Sequence, residues 1–258
     1  MPNISSRGPL ATAAVFLLTL ALWITIGLLT IAMSLAIMAA NLAVGLFDRK
    51  RRLAHWIASC WGCLILLCNP LWRVRVSGRR HIPARRPVIF VSNHQSMLDI
   101  MAGFFLWRQF KWVAKQQLFN IPFLGWAMAG AGYIRLARSE QRSIRESYDD
   151  ARRWVDSGVS VFFFPEGTRS RTEELGAFKR GAFKLAVETG VPVVPVVITG
   201  TRDLLKRGSW LFNPAARVRV TVLAPVPPSG DQADPDRLRD AVRDAIARTL
   251  QQQAASAL

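Results

Sequence analysis

The first hydrophobic pattern along the chain is an unbroken one. From Gly8 to Phe47 there is no charged residue, and no proline interrupts the run past Pro9. A helix needs about 20 apolar residues to cross a bilayer. The run therefore predicts either two short membrane-embedded helices or one span with an overhang, with Gly27, Ser34 and Asn41 as the residues that favour a turn. It is far longer than the roughly 7–15-residue apolar core of a secretory signal. The basic cluster Arg49–Arg52 follows it. Basic residues mark the cytoplasmic end of a membrane segment, which predicts a location on the cytoplasmic face of the cell inner membrane. A second stretch without Lys, Arg, Asp or Glu, Leu53 to Trp72, holds His55, three tryptophans and all three cysteines. Tryptophans favour the membrane–water interface, so His55 is read as interfacial. Thiols at 60, 63 and 68 on one apolar segment read as buried or lipid-facing, not as a disulfide framework.

From about Leu71 the period changes. Short runs rich in Val, Ile and Phe, "WRVRVSG", "PVIFVSN", "KWVAK", "GYIRLA", "VSVFFFP", "VPVVPVVITG" and "ARVRVTVL", predict strands. Helical patterns lie between them. Residues 139–157 place Ile144, Tyr148, Ala151 and Val155 on one face, with Gly158 at the C-terminal cap. Residues 178–189 end at Gly190 in the same way. The last helix starts at Asp234 with Pro235 in its first turn and turns Leu238, Ala241, Val242, Ala245 and Leu250 inward. The terminal "QQQAASAL" predicts a frayed end. Alternating strands and helices predict an α/β fold, a layered central mixed β-sheet flanked by helices. The organisation is a membrane-associated helical segment over residues 1–70 and an α/β domain over 71–258.

The chain has only three histidines, at 55, 81 and 94. His94 stands at the C-terminal end of the strand "PVIFVS", where α/β sites gather, and Asp99 follows five residues on. On a regular helix, positions five apart differ by about 140°. The two side chains therefore meet only if His94 lies on a loop that bends before Asp99 enters a helix. Joined in that way, a carboxylate holds the imidazole in one tautomer and stabilises the imidazolium, which makes the ring a general base for a hydroxyl. The bare H-x4-D spacing is a weak signal, and fits also a loop histidine satisfied by backbone beside an aspartate that caps or salt-bridges. Ser92 and Ser96 flank His94, but the glycine-flanked elbow of a serine nucleophile is missing. Three scattered histidines predict no metal site.

"NHQSMLD" resembles the first block of the glycerolipid acyltransferases that carry the N-H-x4-D motif. Three further stretches resemble their later blocks in order: "GYIRLAR" (with Ala137 where many relatives carry an acid), "FPEGTRS" and "VPVVPVVI". Together they cover roughly Val88 to Gly200. The resemblance is strongest to 1-acylglycerol-3-phosphate acyltransferases, and implies transfer of a fatty acyl group to the sn-2 hydroxyl of lysophosphatidate. It implies acyl-CoA or acyl-carrier protein as co-substrate, with no other cofactor. It assigns base and orienting roles to His94 and Asp99. To Glu166, Gly167, Thr168 and Arg169 it assigns binding of the acceptor's glycerol and phosphate, with Lys115 and Arg138 as further contacts. Pro192 and Pro195 read as shaping a strand edge and acyl pocket.

The net charge of +17, from 34 basic and 17 acidic residues, changes the picture only after this point. A basic surface suits anionic membrane lipids, a phosphate-bearing acceptor and an acidic carrier protein. No nucleic-acid motif accompanies it. Two other readings stand beside the first. One is the same chemistry on another acceptor: a lyso-ornithine lipid, a lysophospholipid or glycerol 3-phosphate. The other is a membrane-anchored module that binds anions without catalysis.

Overall fold

The computed structural model describes residues 8–137, 140–169, 174–205 and 208–255. The apolar N-terminal run is one continuous helix, α1 (Pro9–Val44), followed by α2 (Arg52–Leu67). Seven strands follow: β1 (Trp72–Ser77), β2 (Ile89–Ser92), β3 (Phe110–Lys115), β4 (Ile134–Leu136), β5 (Ser160–Phe163), β6 (Val193–Thr199) and β7 (Ala216–Val222). The remaining helices are α3 (Asp99–Gly103), α4 (Leu124–Gly130), α5 (Gln141–Asp156), α6 (Gly181–Thr189), α7 (Thr201–Leu204) and α8 (Pro235–Ala255). The strands form one sheet in the order β1-β7-β6-β2-β5-β3-β4. Neighbours are parallel except β6 and β7. The sheet is mixed, and the C-terminal ends of β2, β3, β4, β5 and β6 share one edge with the N-terminal ends of β1 and β7.

Burial explains the strand sequences. β2 lies between β5 and β6, and all four of its residues are buried, so both faces must be apolar or satisfied. β7 has one face covered, and its valines alternate with Arg217, Arg219 and Thr221. One face of the sheet packs Phe90, Phe110, Trp112, Phe162 and Val196 against α2 and α3, with Leu22 and Ile37 of α1 in the same cluster. The other packs Ile89, Val91, Val161 and Val197 against side chains of α5, α6 and α8.

α1 is held to the rest along its length. Phe16 meets Trp210 edge-on, and the Phe212 N–H donates to Thr19 Oγ1 (3.2 Å). Ser34 Oγ donates to the Phe123 carbonyl (2.7 Å), and Asn41 Nδ2 to that of Gly130 (3.0 Å). Each such bond contributes only about 0.5–1.5 kcal/mol net, whereas burying a side chain such as Leu22 or Ile37 contributes roughly 1.5–3 kcal/mol. Apolar packing therefore holds the helix, and the polar bonds fix its register. The residues expected to allow a turn, Ser34 and Asn41, instead tie an unbroken helix down. The opposite face stays bare. Leu17, Leu20, Ile24, Leu28, Ile31, Leu35, Met38 and Leu42 recur in steps of three and four and are exposed.

Several expectations are corrected. His55 is fully buried on α2, with Nε2 at 2.9 Å from the Arg108 carbonyl and Nδ1 at 3.3 Å from the Tyr133 hydroxyl. Burial, with Lys111 nearby, pushes its pKa down to about 3 and keeps it neutral. Ile144 is exposed, and Ser147 joins Ala151 and Val155 on the buried face of α5. The "QQQAA" segment is helical, not frayed, and Gln253 ties it to the sheet by bridging Thr199 Oγ1 and Thr221 Oγ1, both at 3.0 Å. Pro195 lies inside the central strand β6, not at a sheet edge. Its carbonyl accepts from Leu223 N–H (2.9 Å), so its missing donor faces β7, where the pairing slips by one residue between Val196↔Val222 and Val193↔Val226. A bulge tolerates proline in a sheet interior.

Gly200, at the turn from β6 into α7, has φ +83°, and a Cβ there would fall 1.9 Å from the Arg217 carbonyl oxygen. Gly200→Ala is expected to lower stability by about 2 kcal/mol or more, read as a fall in thermal midpoint. Gly181→Ala, where nothing lies within 4 Å, is the control and should change it little.

Candidate active site

The stretch after β2 leaves the sheet as a loop and enters α3 at Asp99, so the bend that the spacing requires is present. His94 Nδ1 lies 2.8 Å from Asp99 Oδ2. The same oxygen accepts the backbone N–H groups of Gln95 (2.6 Å) and Ser96 (2.8 Å), and Oδ1 accepts the hydroxyl of Thr201. Asp99 is fully buried and His94 slightly exposed. In the tautomer with the proton on Nδ1, His94 donates to Asp99 Oδ2 and keeps Nε2 as the lone-pair nitrogen of the ring. The ring stacks on Phe164, with centroids 4.1 Å apart and planes at 19°. Asn93 clamps the loop to β6: Nδ2 donates to the Ile198 carbonyl (2.8 Å), and Oδ1 accepts its N–H (2.9 Å). Ser92 and Ser96 bond locally, as expected.

β5 ends beside this loop and delivers "FPEGTR". Glu166 Oε1 accepts the backbone N–H of His94 (2.8 Å), and Oε2 accepts that of Gly176 (3.0 Å). Burial raises the Glu166 pKa, and the two N–H groups oppose the rise. Both oxygens thus engage backbone, which makes Glu166 a brace between the two loops. Gly167, at φ +75°, closes the turn, and Lys179 packs so near that a Cβ on Gly167 would fall 3.2 Å from Nζ. Thr168 and Arg169 are exposed.

Residues 73–199 match the family model described as Acyltransferase. The 1-acyl-sn-glycerol-3-phosphate acyltransferase of Saccharomyces cerevisiae is 36% identical over 214 residues, covering 79% of this chain and 68% of the yeast protein. The chain belongs to the acyltransferase family. The chloroplastic 1-acyl-sn-glycerol-3-phosphate acyltransferase BAT2 of Brassica napus is 39% identical over 80% of this chain and 58% of its own length. Across three algal and plant relatives the chain spans 52% to 66% of their length. The crystal structure of the 1-acyl-sn-glycerophosphate (LPA) acyltransferase PlsC from Thermotoga maritima superposes with TM-score 0.80 at 28% identity, over 95% of this chain and 98% of that one.

Within this acyltransferase-family chain, the sheet brings His94, Asp99, Glu166, Gly167, Thr168 and Arg169 to one edge. Lys115, exposed at the end of β3, lies at the same edge because β3 runs parallel to β5. Arg138 lies outside the described residues. Among the described residues, no three His, Cys, Asp or Glu side chains are grouped to hold a metal ion. Two residues of the constellation were not singled out from sequence. Asn93 stands in the first block with no chemical signal of its own, and Thr201 lies just past the fourth block. The only signal for Thr201 is its place after a strand-end glycine, where a hydroxyl can turn back to the neighbouring strand's loop.

Thr201→Val removes the donor to Asp99 Oδ1. A hydrogen bond to a charged group contributes about 1.5–3 kcal/mol, so kcat is expected to fall roughly tenfold or more, with the acceptor KM unchanged. Thr201→Ser should restore it. Steady-state kinetics beside a melting curve checks both.

Proposed function

We propose that this chain transfers a fatty acyl group from a thioester donor, acyl-carrier protein or acyl-CoA, to the sn-2 hydroxyl of 1-acylglycerol 3-phosphate, giving phosphatidate. The observation that carries the reading is the His94–Asp99 pair, with the carboxylate saturated by donors and held beside the "FPEGTR" turn. The acceptor hydroxyl oxygen attacks the thioester carbonyl carbon as His94 Nε2 takes its proton. Asp99 stabilises the imidazolium that forms. The tetrahedral intermediate collapses, the C–S bond breaks, and His94 returns the proton to the leaving thiol. No acyl-enzyme is required. Arg169 grips the acceptor phosphate with its planar fork, and Lys115 and Arg138 supply further positive charge. Glu166 acts on the backbone of His94, keeping the base and the phosphate turn in register.

The acceptor and product are lipids, and the bare face of α1 supports a seat on the bilayer. α1 is the only helix among the described residues long and apolar enough to cross a membrane. At about 1.5 Å per residue it would measure about 54 Å, well beyond the roughly 30 Å of a hydrocarbon core. Its packing to the domain from Phe16 to Asn41 favours an in-plane position with the leucine stripe in the lipid. The basic run Arg49–Arg52 then meets anionic headgroups at the cytoplasmic face of the inner membrane.

Thiol release from acyl-CoA on adding lysophosphatidate to detergent-solubilised protein tests the chemistry. Wild type should turn over, and His94→Ala should lose about 10²–10⁴-fold while staying folded. Equal rates would remove His94 as the base. Ile24→Asp with Leu28→Asp should weaken sedimentation with anionic vesicles at least about tenfold and spare turnover in detergent.

A further inference from the structure

β1 and β7 pair in parallel with Arg73 opposite Arg217 and Arg75 opposite Arg219. Trp72, Val218 and Val220 are buried and Val74 and Val76 packed on one side, so the four arginines share the other face of the sheet. Like charges directly opposite on a sheet destabilise it. Yet none of the four forms an ion pair with a carboxylate among the described residues. Charge that only blunts a sheet edge is needed on the edge strand β1 alone. Here β7, one strand in, carries a matching pair.

We infer that this arginine quartet is a docking surface for a soluble acidic protein that delivers the acyl thioester. The inference rests on the acyl-transfer reading above. Three observations select this partner. The apolar stripe of α1 belongs to the layer that covers the opposite face of the sheet, so a bilayer seated on that stripe does not reach the quartet. Charge complementarity calls for an acidic partner, and a flat array of guanidinium groups suits carboxylates on a protein surface. The quartet is also continuous with the reaction site. The Arg217 carbonyl abuts Gly200, the next residue, Thr201, bonds Asp99, and Asp99 bonds His94. Three strand spacings separate β1 from β2, about 14 Å at roughly 4.8 Å each. A carrier docked there presents its thioester arm to the edge where His94 stands, while the lipid acceptor enters from the membrane side.

The test uses the full chain in detergent and fluorescently labelled acyl-carrier protein. Anisotropy titrations compare wild type with Arg73→Glu/Arg217→Glu and Arg75→Glu/Arg219→Glu, and the Gln equivalents serve where a Glu pair disturbs folding. Binding should weaken at least about tenfold in each Glu pair, and for wild type as salt rises from about 0.05 to 0.5 M. The KM for an acyl-carrier-protein donor should rise by a similar factor. Acyl-CoA turnover should stay within about twofold, and vesicle sedimentation should be unchanged. Absent carrier binding by wild type, or unchanged binding by variants with intact acyl-CoA turnover, overturns the inference. Loss of vesicle binding with carrier binding intact overturns it in favour of a lipid surface. Wild type inactive with both donors overturns the acyl-transfer reading, and the binding titration still decides whether the quartet docks the carrier.

Discussion

The structure depends on one buried carboxylate. Taking an ionised aspartate out of water is prohibitive unless donors replace its hydration. Asp99 meets that requirement with four: His94 Nδ1, the amides of Gln95 and Ser96, and the Thr201 hydroxyl. Three come from the loop between β2 and α3, and the fourth from the turn after β6, the strand beside β2. The loop must therefore fold tightly back on Asp99, and β6 must end at the right level. The geometry that orients the proposed base is the same geometry that makes the burial of Asp99 tolerable, so folding and preorganisation are one requirement.

The same device recurs one strand over. Glu166, half-buried after β5, accepts amides from His94 and Gly176, so the β2 and β5 loops are joined through a carboxylate as well as through the His94–Phe164 ring stack. Under the proposed function, in which the acceptor enters there, the edge formed by the strand ends has to stay free of packed hydrocarbon. Polar bridges from side chain to backbone give stiffness without filling the space. Phe164 supplies the apolar part, lying flat between the His94 ring and Trp112.

The parts of this arrangement that were legible in sequence are those with local signals. Strand runs of Val and Phe, the Asp234–Pro235 helix start and the glycine caps at 158 and 190 fall where their patterns put them, because each depends on its own few residues. The His94–Asp99 bend was legible as a geometric condition, since no helix face accommodates that spacing. The long-range partners were not. Thr201 reaches Asp99 across 102 residues, and nothing local distinguishes it from any threonine after a glycine. The resemblance assigns Glu166 to the acceptor, and nothing local in the sequence signals its two backbone partners, 72 and 10 residues away. His55 misled for a related reason. Its apolar, tryptophan-rich surroundings are common to a membrane interface and a protein core, and only the carbonyl of Arg108 and the hydroxyl of Tyr133 decide between them.

α1 shows why composition alone could not choose its disposition. Helices that bury one stripe and hydrate the other are amphipathic, but α1 is apolar on both sides, so no periodicity separates the face against the domain from the bare one. The separation comes from a few polar residues. Thr19, Ser34 and Asn41 lie on the packed side, where backbone groups of Phe212, Phe123 and Gly130 bond them, while the stripe from Leu17 to Leu42 contains only large aliphatic side chains. Apolar packing against the domain and apolar contact with lipid are energetically alike per unit area, so hydrophobicity cannot fix the helix's rotation. Specific hydrogen bonds can, because an unmet hydroxyl or amide is penalised in either apolar surrounding. Three polar side chains thus orient the helix, and through it the side from which the proposed lipid acceptor would approach His94.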